Sequence, residues 1–98
     1  MALGTTDEIG HPWVSPVWYA SEDYLNFLWV SSPDAKHSRN LAVHAEVAVA
    51  IFDSSVPVGG AEAVYMKGVA DELTASTSNG ARRYSTACPK RRSATVGY

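Results

Sequence analysis

Lys36 and Arg39, in the run Ser32-Pro33-Asp34-Ala35-Lys36-His37-Ser38-Arg39-Asn40-Leu41-Ala42, are the side chains whose type and spacing best suit chemistry. A hydroxyl residue, a proline and an acid in succession mark a helix start. The first turn of a helix presents unpaired N–H groups and the positive end of the dipole, so it is suited to an anion, and neighbouring cations add to that. On a helix opened by Ser32, the spacing puts Ser32, Lys36 and Arg39 on one face and Ser38, Leu41 and Ala45 on another. The first face is expected to meet a phosphate-like group while the second packs. A solvated basic face is the plainer reading of the same pattern.

Other candidates are weaker. Pro16 interrupts the strand-like run Trp13-Val14-Ser15-Pro16-Val17-Trp18-Tyr19. Proline removes a ladder donor, so it marks an edge, a bulge or a position facing a ligand. Trp13, Trp18 and Trp29 are large enough to stack on a planar ligand or to line a subunit interface, with core packing as the alternative. His11, His37 and His44 have no metal-ligand spacing and are expected at the surface or as caps. The single cysteine, Cys88, has no intrachain disulfide partner and is given no role.

The elements that must position these residues are mainly strands. With 46% hydrophobic and 18% charged residues, the 98-residue chain has a globular balance and a small core. Strand patterns occur at Ala2 to Thr5, Trp13 to Tyr19, Leu25 to Ser31, Val47 to Phe52 and Ala63 to Ala70. Turn clusters separate them at Thr6 to Gly10, at Ser21-Glu22-Asp23 and around Pro57, Gly59 and Gly60. Four or five strands with a single short helix between the third and fourth predict a mainly β barrel or sandwich over residues 1–74. Residues 75–98 lack sustained periodicity and read as a basic, disordered tail carrying Arg82, Arg83, Lys90, Arg91 and Arg92. All ten acidic residues precede Ala75, and the net charge is −2. The tail has no recognisable nucleic-acid motif, which argues against nucleic acid as a partner. No apolar run reaches the roughly 20 residues that cross a bilayer, and nothing requires an oxidising compartment; a cytoplasmic protein is expected.

In order and spacing, the segments GHPWVSPVWY, LNFLWVSS and AKHSRNLAVHAEVAVAIFD resemble the flavin-binding split barrels related to pyridoxamine 5′-phosphate oxidase. The resemblance implies an FMN-binding split β-barrel. It places the FMN phosphate on Ser31, Ser32, Lys36, Ser38 and Arg39, and the isoalloxazine ring against Ser15, Pro16, Val17 and Trp18. It further implies a homodimer with the flavin at the subunit interface and a small-molecule redox substrate. A deazaflavin is the alternative cofactor, because some relatives bind one in the same groove. The Arg-x-His element with which the true oxidases recognise pyridoxamine phosphate is absent, which points to another substrate. The family's N-terminal helix and its elements past residue 74 are expected to be missing. A non-catalytic flavin-binding module or a truncated fragment is the competing reading.

Overall fold

A computed structural model of the chain describes residues 1–22, 26–53, 55–57, 60, 62–73 and 80–95, the stretch 89–95 by its backbone. Asp23, Leu25, Gly59 and residues 75–79 and 96–98, to which strand, turn or tail readings were attached, lie outside the described residues. The elements run β1 (Ala2–Thr6), β2 (Pro12–Pro16), β3 (Tyr19–Glu22), β4 (Asn26–Ser31), α1 (Lys36–Val43), β5 (Glu46–Phe52), β6 (Glu62–Glu72) and β7 (Arg82–Thr95). Every strand joins one antiparallel seven-stranded sheet in the order β2-β1-β5-β6-β7-β4-β3.

Period-two alternation builds the core. Leu3 on β1, Val47 and Val49 on β5, Met66 on β6, Tyr84 and Cys88 on β7, and Phe27 and Trp29 on β4 all turn to one face and are buried. Trp29 stacks on Tyr84 with ring centroids 5.9 Å apart. Each large apolar side chain buried this way stabilises the fold by roughly 1.5–3 kcal/mol.

The sheet has to curl, because its two edge strands are consecutive in the chain. β2 ends at Pro16 and β3 begins at Tyr19, so only Val17 and Trp18 join the opposite edges. Three Cα–Cα steps of about 3.8 Å hold those edges within about 11 Å of each other. The result is a barrel split between β2 and β3. Val17 is 9% exposed and enters the core, whereas Trp18 beside it is 95% exposed. The run Trp13 to Tyr19, read from the sequence as one strand, is therefore two strands on opposite edges, and α1 follows the fourth strand instead of the third. Pro12 and Pro16 stand at the two ends of β2, where an edge strand tolerates the missing donors.

The expected tail is folded. β7 is an interior strand, paired with β6 on one side and β4 on the other, so the barrel continues past residue 74. Its inward side chains before residue 89 are Tyr84, Thr86 and Cys88, an alternation carried largely by small or polar groups that a hydrophobicity pattern passes over. The buried Thr86 hydroxyl is satisfied by donating to the Val69 carbonyl at 3.0 Å. Between the pairs Lys67↔Lys90 and Val69↔Ala87, Gly68 faces both Cys88 and Pro89. This bulge is where an interior strand can hold a proline.

Gly68 is required by close approach: a Cβ there would overlap Thr86 Oγ1 and lie 2.5 Å from the Ala87 carbonyl oxygen. Gly68→Ala is expected to destabilise the fold by about 1–3 kcal/mol or more, measured by denaturant unfolding. Deleting residues 82–98 removes one of the two partner strands of β4 and of β6, and circular dichroism is expected to show loss of the cooperative fold. A truncated chain that melts like the full one would contradict this topology.

Candidate functional site

The candidate site lies where β4 runs out of the barrel and the chain enters α1. Ser31, the last residue of β4, pairs with Arg82 of β7. On the other side β4 pairs with β3, whose first pair is Tyr19↔Trp29, two residues before the end of β4. Next comes a tight turn in which Ser32 Oγ accepts the Asp34 N–H at 3.2 Å and the Ser32 carbonyl accepts the Ala35 N–H at 3.2 Å. With Ser32 engaged in this turn, the helix begins at Lys36, with Ala35 as an N-cap that makes no side-chain bond. The expected start at Ser32 is corrected accordingly, and Ser32 does not share a helix face with Lys36 and Arg39.

α1 is held by its buried face. Asn40 Nδ2 donates to Thr5 Oγ1 of β1 at 3.0 Å, both residues being buried, and Leu41 packs against the core. Lys36 is half-buried and Arg39 is exposed, and among the described residues neither is in an ion pair. Lys36 stands near the β1–β2 turn, where it helps hold the Asp7 carboxyl below its ordinary value. The main cause of that lowering is the His11 N–H, which donates to Asp7.

His37 is a correction to the surface reading. It is 8% exposed, and its Nε2 lies 2.8 Å from the half-buried Ser31 Oγ. Burial pushes its pKa below the ordinary histidine value, so the ring is neutral at neutral pH.

Ser38 is buried, and its hydroxyl oxygen has no hydrogen-bond partner among the described residues. The Arg39 N–H donates to the Ala35 carbonyl at 3.0 Å, the first bond of the helix, so the N–H groups of Lys36, His37 and Ser38 stand ahead of it. Leading N–H groups and two cations outside any ion pair form a donor set that fits a phosphate, whereas the Ser38 hydroxyl is sealed from solvent.

The second half of the expected site is differently disposed. Ser15 is half-buried and Pro16 exposed on the edge strand, and the Val17 side chain is in the core. Val17 N–H donates to the Met1 carbonyl at 2.9 Å, and the Met1 amino group donates to the Val17 carbonyl at 3.3 Å. Both backbone groups of Val17 are therefore engaged, and Trp18 beside it is 95% exposed. Sequence reasoning missed His37 and Arg82. Arg82, assigned to the tail, stands across from Ser31 and pairs with Glu72 at 3.0 Å. The signal for it was the alternation Tyr84, Thr86, Cys88 that follows it.

On the other face of the sheet lies an open groove of about 1030 Å³, lined by Gly4, Val14, Ala48, Val69 and Ala87, with Lys67 and Asp71 among its polar groups. It contains none of Ser31, Lys36 or Arg39. Val14, Tyr65 and Val69 on this side are 68%, 44% and 55% exposed, an apolar face that the chain leaves uncovered. Among the described residues, no helix is long and apolar enough to cross a membrane.

The family model described as pyridoxamine 5′-phosphate oxidase matches residues 1–95. No curated protein matches the chain. Among solved structures it is similar to HutZ, the heme storage protein from Vibrio cholerae, with TM-score 0.78, 15% identity and coverage of 99% of this chain and 85% of that one. A putative 5-nitroimidazole antibiotic resistance protein from Bacteroides thetaiotaomicron gives TM-score 0.78 at 12% identity, covering 94% and 74%. A heme binding protein from Mycobacterium smegmatis gives 0.77 at 19%, covering 96% of this chain and 51% of that one. At these identities the likeness is one of fold: a curled, mainly β split barrel with a short helix.

Because the folded state lowers the His37 pKa, the unfolded chain takes up the proton first as pH falls. The stability of the neutral ring is complete above the unfolded value of about 6.5 and is lost as pH drops below it. The melting temperature of the wild type is expected to fall between about pH 7 and about pH 5.5, and that of His37→Gln to fall less. Parallel curves for the two proteins would show that His37 is not the titrating group.

Proposed function

The chain belongs to the pyridoxamine 5′-phosphate oxidase family, and on that premise we propose that it binds flavin mononucleotide as an oxidoreductase-type flavoprotein, with the phosphate at the start of α1. The observation that supports this reading is that Ser31 ends β4 and that Lys36 and Arg39, both outside any ion pair among the described residues, lie in the first turn of α1 that follows. Bound flavin supplies hydride and electron transfer; the protein supplies binding, orientation and exclusion of water. Arg39 offers a two-pronged fork to phosphate oxygens, and Lys36 offers a point charge. The Trp18 indole, 95% exposed where the chain crosses from β2 to β3, gives the isoalloxazine ring a surface to stack on. The substrate is a small redox molecule, and the cytoplasm is the compartment that fits a chain with one cysteine.

The same reading makes the protein a homodimer. The uncovered face carrying Val14, Tyr65 and Val69 is buried most simply by a second copy, and a 98-residue barrel gains stability from it. Light scattering is expected to give twice the 10.5 kDa chain mass, and Val69→Glu to return it to the monomer.

Charge-assisted contacts to a phosphate are each worth about 1.5–3 kcal/mol, or about ten- to hundredfold in affinity. Arg39→Ala is therefore expected to weaken FMN by at least about tenfold and riboflavin hardly at all, with Lys36→Ala acting in the same direction by less. Equal losses for the two ligands, read by flavin fluorescence quenching, would remove the phosphate clamp. Mass spectrometry of the small molecule that co-purifies identifies the cofactor: FMN supports the proposal, a deazaflavin transfers it to that cofactor, and a porphyrin overturns it.

A further inference from the structure

We propose that His37 is a positioning residue of the phosphate site: its Nε2–H holds the Ser31 oxygen so that the Ser31 hydroxyl donates its own hydrogen to the phosphate. The inference rests on the FMN reading above and assigns a role to a residue that reading leaves idle. Its basis is a buried ring behind a half-exposed hydroxyl. His37 is 8% exposed, its Nε2 is 2.8 Å from Ser31 Oγ, and Ser31 stands at the mouth of β4 beside the start of α1.

A neutral imidazole has one N–H, and the two tautomers have opposite consequences for Ser31. If the hydrogen is on Nδ1, then Nε2 accepts the hydroxyl hydrogen and Ser31 presents only lone pairs outward, which an anion repels. If the hydrogen is on Nε2, it is donated to Ser31 Oγ, and the O–H points away from the ring toward the ligand. An anion therefore selects the Nε2–H form.

The surroundings favour a neutral ring in this role. On its own helix His37 is flanked by Lys36 and Arg39, at the end where the dipole is positive and a further cation is disfavoured. Across from Ser31 on β7 stands Arg82, neutralised by Glu72 of β6. From β1 the helix meets Thr5, which is uncharged, and the Asp7 carboxylate of the β1–β2 turn feels Lys36. A bound phosphate dianion adds negative charge next to this group, so FMN is expected to raise the His37 pKa where riboflavin does not.

Nitrogen-15 NMR of the imidazole in the wild-type protein reads the tautomer directly. In the FMN complex at neutral pH, Nε2 is expected to carry the hydrogen; an Nδ1–H ring there would overturn the proposal. Affinity supplies the second arm. His37→Leu is expected to weaken FMN about three- to tenfold, the range covered by one neutral hydrogen bond, and to leave riboflavin within about twofold. His37→Gln, whose amide can donate from a similar position without titrating, is expected to restore FMN binding. Ser31→Ala is expected to lose as much as His37→Leu, and the double variant no more than either, as for two members of one relay. Additive losses, or a His37→Leu variant that binds FMN like the wild type while Arg39→Ala does not, would sink the relay and leave the phosphate site standing. Equal affinity of the wild type for FMN and riboflavin would remove both.

Discussion

The short link between the two edges of the sheet governs this molecule. β2 and β3 lie at opposite ends of a seven-stranded order and are separated by Val17 and Trp18 alone. A flat sheet would hold its edges about six interstrand spacings of roughly 4.8 Å apart, near 29 Å, and a link of about 11 Å cannot reach. Curling is therefore dictated by connectivity. From it follow a single inner face that buries Trp29 on Tyr84, and a seam between β2 and β3 that Val17 and Trp18 cross. The convex face is then left with no element of the described chain to cover it.

The same constraint separates two surfaces with different physics. At the seam, polar groups gather because β4 ends there and α1 begins, and their burial is tolerated through specific pairings such as Asn40 with Thr5 and His37 with Ser31. The convex face offers small and β-branched residues, Gly4, Ala48, Ala87, Val14 and Val69, with little to direct a ligand. The first surface suits recognition of one charged group and the second suits apolar association. The flavin mononucleotide site proposed above would use both, since it must fix a phosphate and keep water from a ring.

Much of the barrel was legible in the sequence because β4, β5 and β6 carry large apolar or β-branched residues at strand spacing, and turn residues separate the strands. β7 was not, since Thr86 and Cys88 fill inward positions that hydrophobicity underrates, and a run of arginines invites the reading of a solvated tail. The break in Trp13 to Tyr19 was signalled by Pro16, but only topology reveals that the chain crosses the seam there. At the candidate site, Lys36 and Arg39 could be named from type and spacing. His37 could not, because its burial depends on how α1 docks on β1, and its partner Ser31 belongs to another element. Arg82 joined the site's surroundings only once β7 was known to pair with β4.

The junction of β4 and α1 is proposed as the phosphate site on which the functional reading turns. A crystal structure of the protein grown with flavin mononucleotide tests it most directly. The account predicts the phosphate within hydrogen-bonding distance of Ser31 Oγ, the Lys36 ammonium and the Arg39 guanidinium, ahead of the first N–H groups of α1. A flavin whose phosphate lies on the convex face among Val14, Ala48 and Val69, with the start of α1 left to solvent, would contradict it.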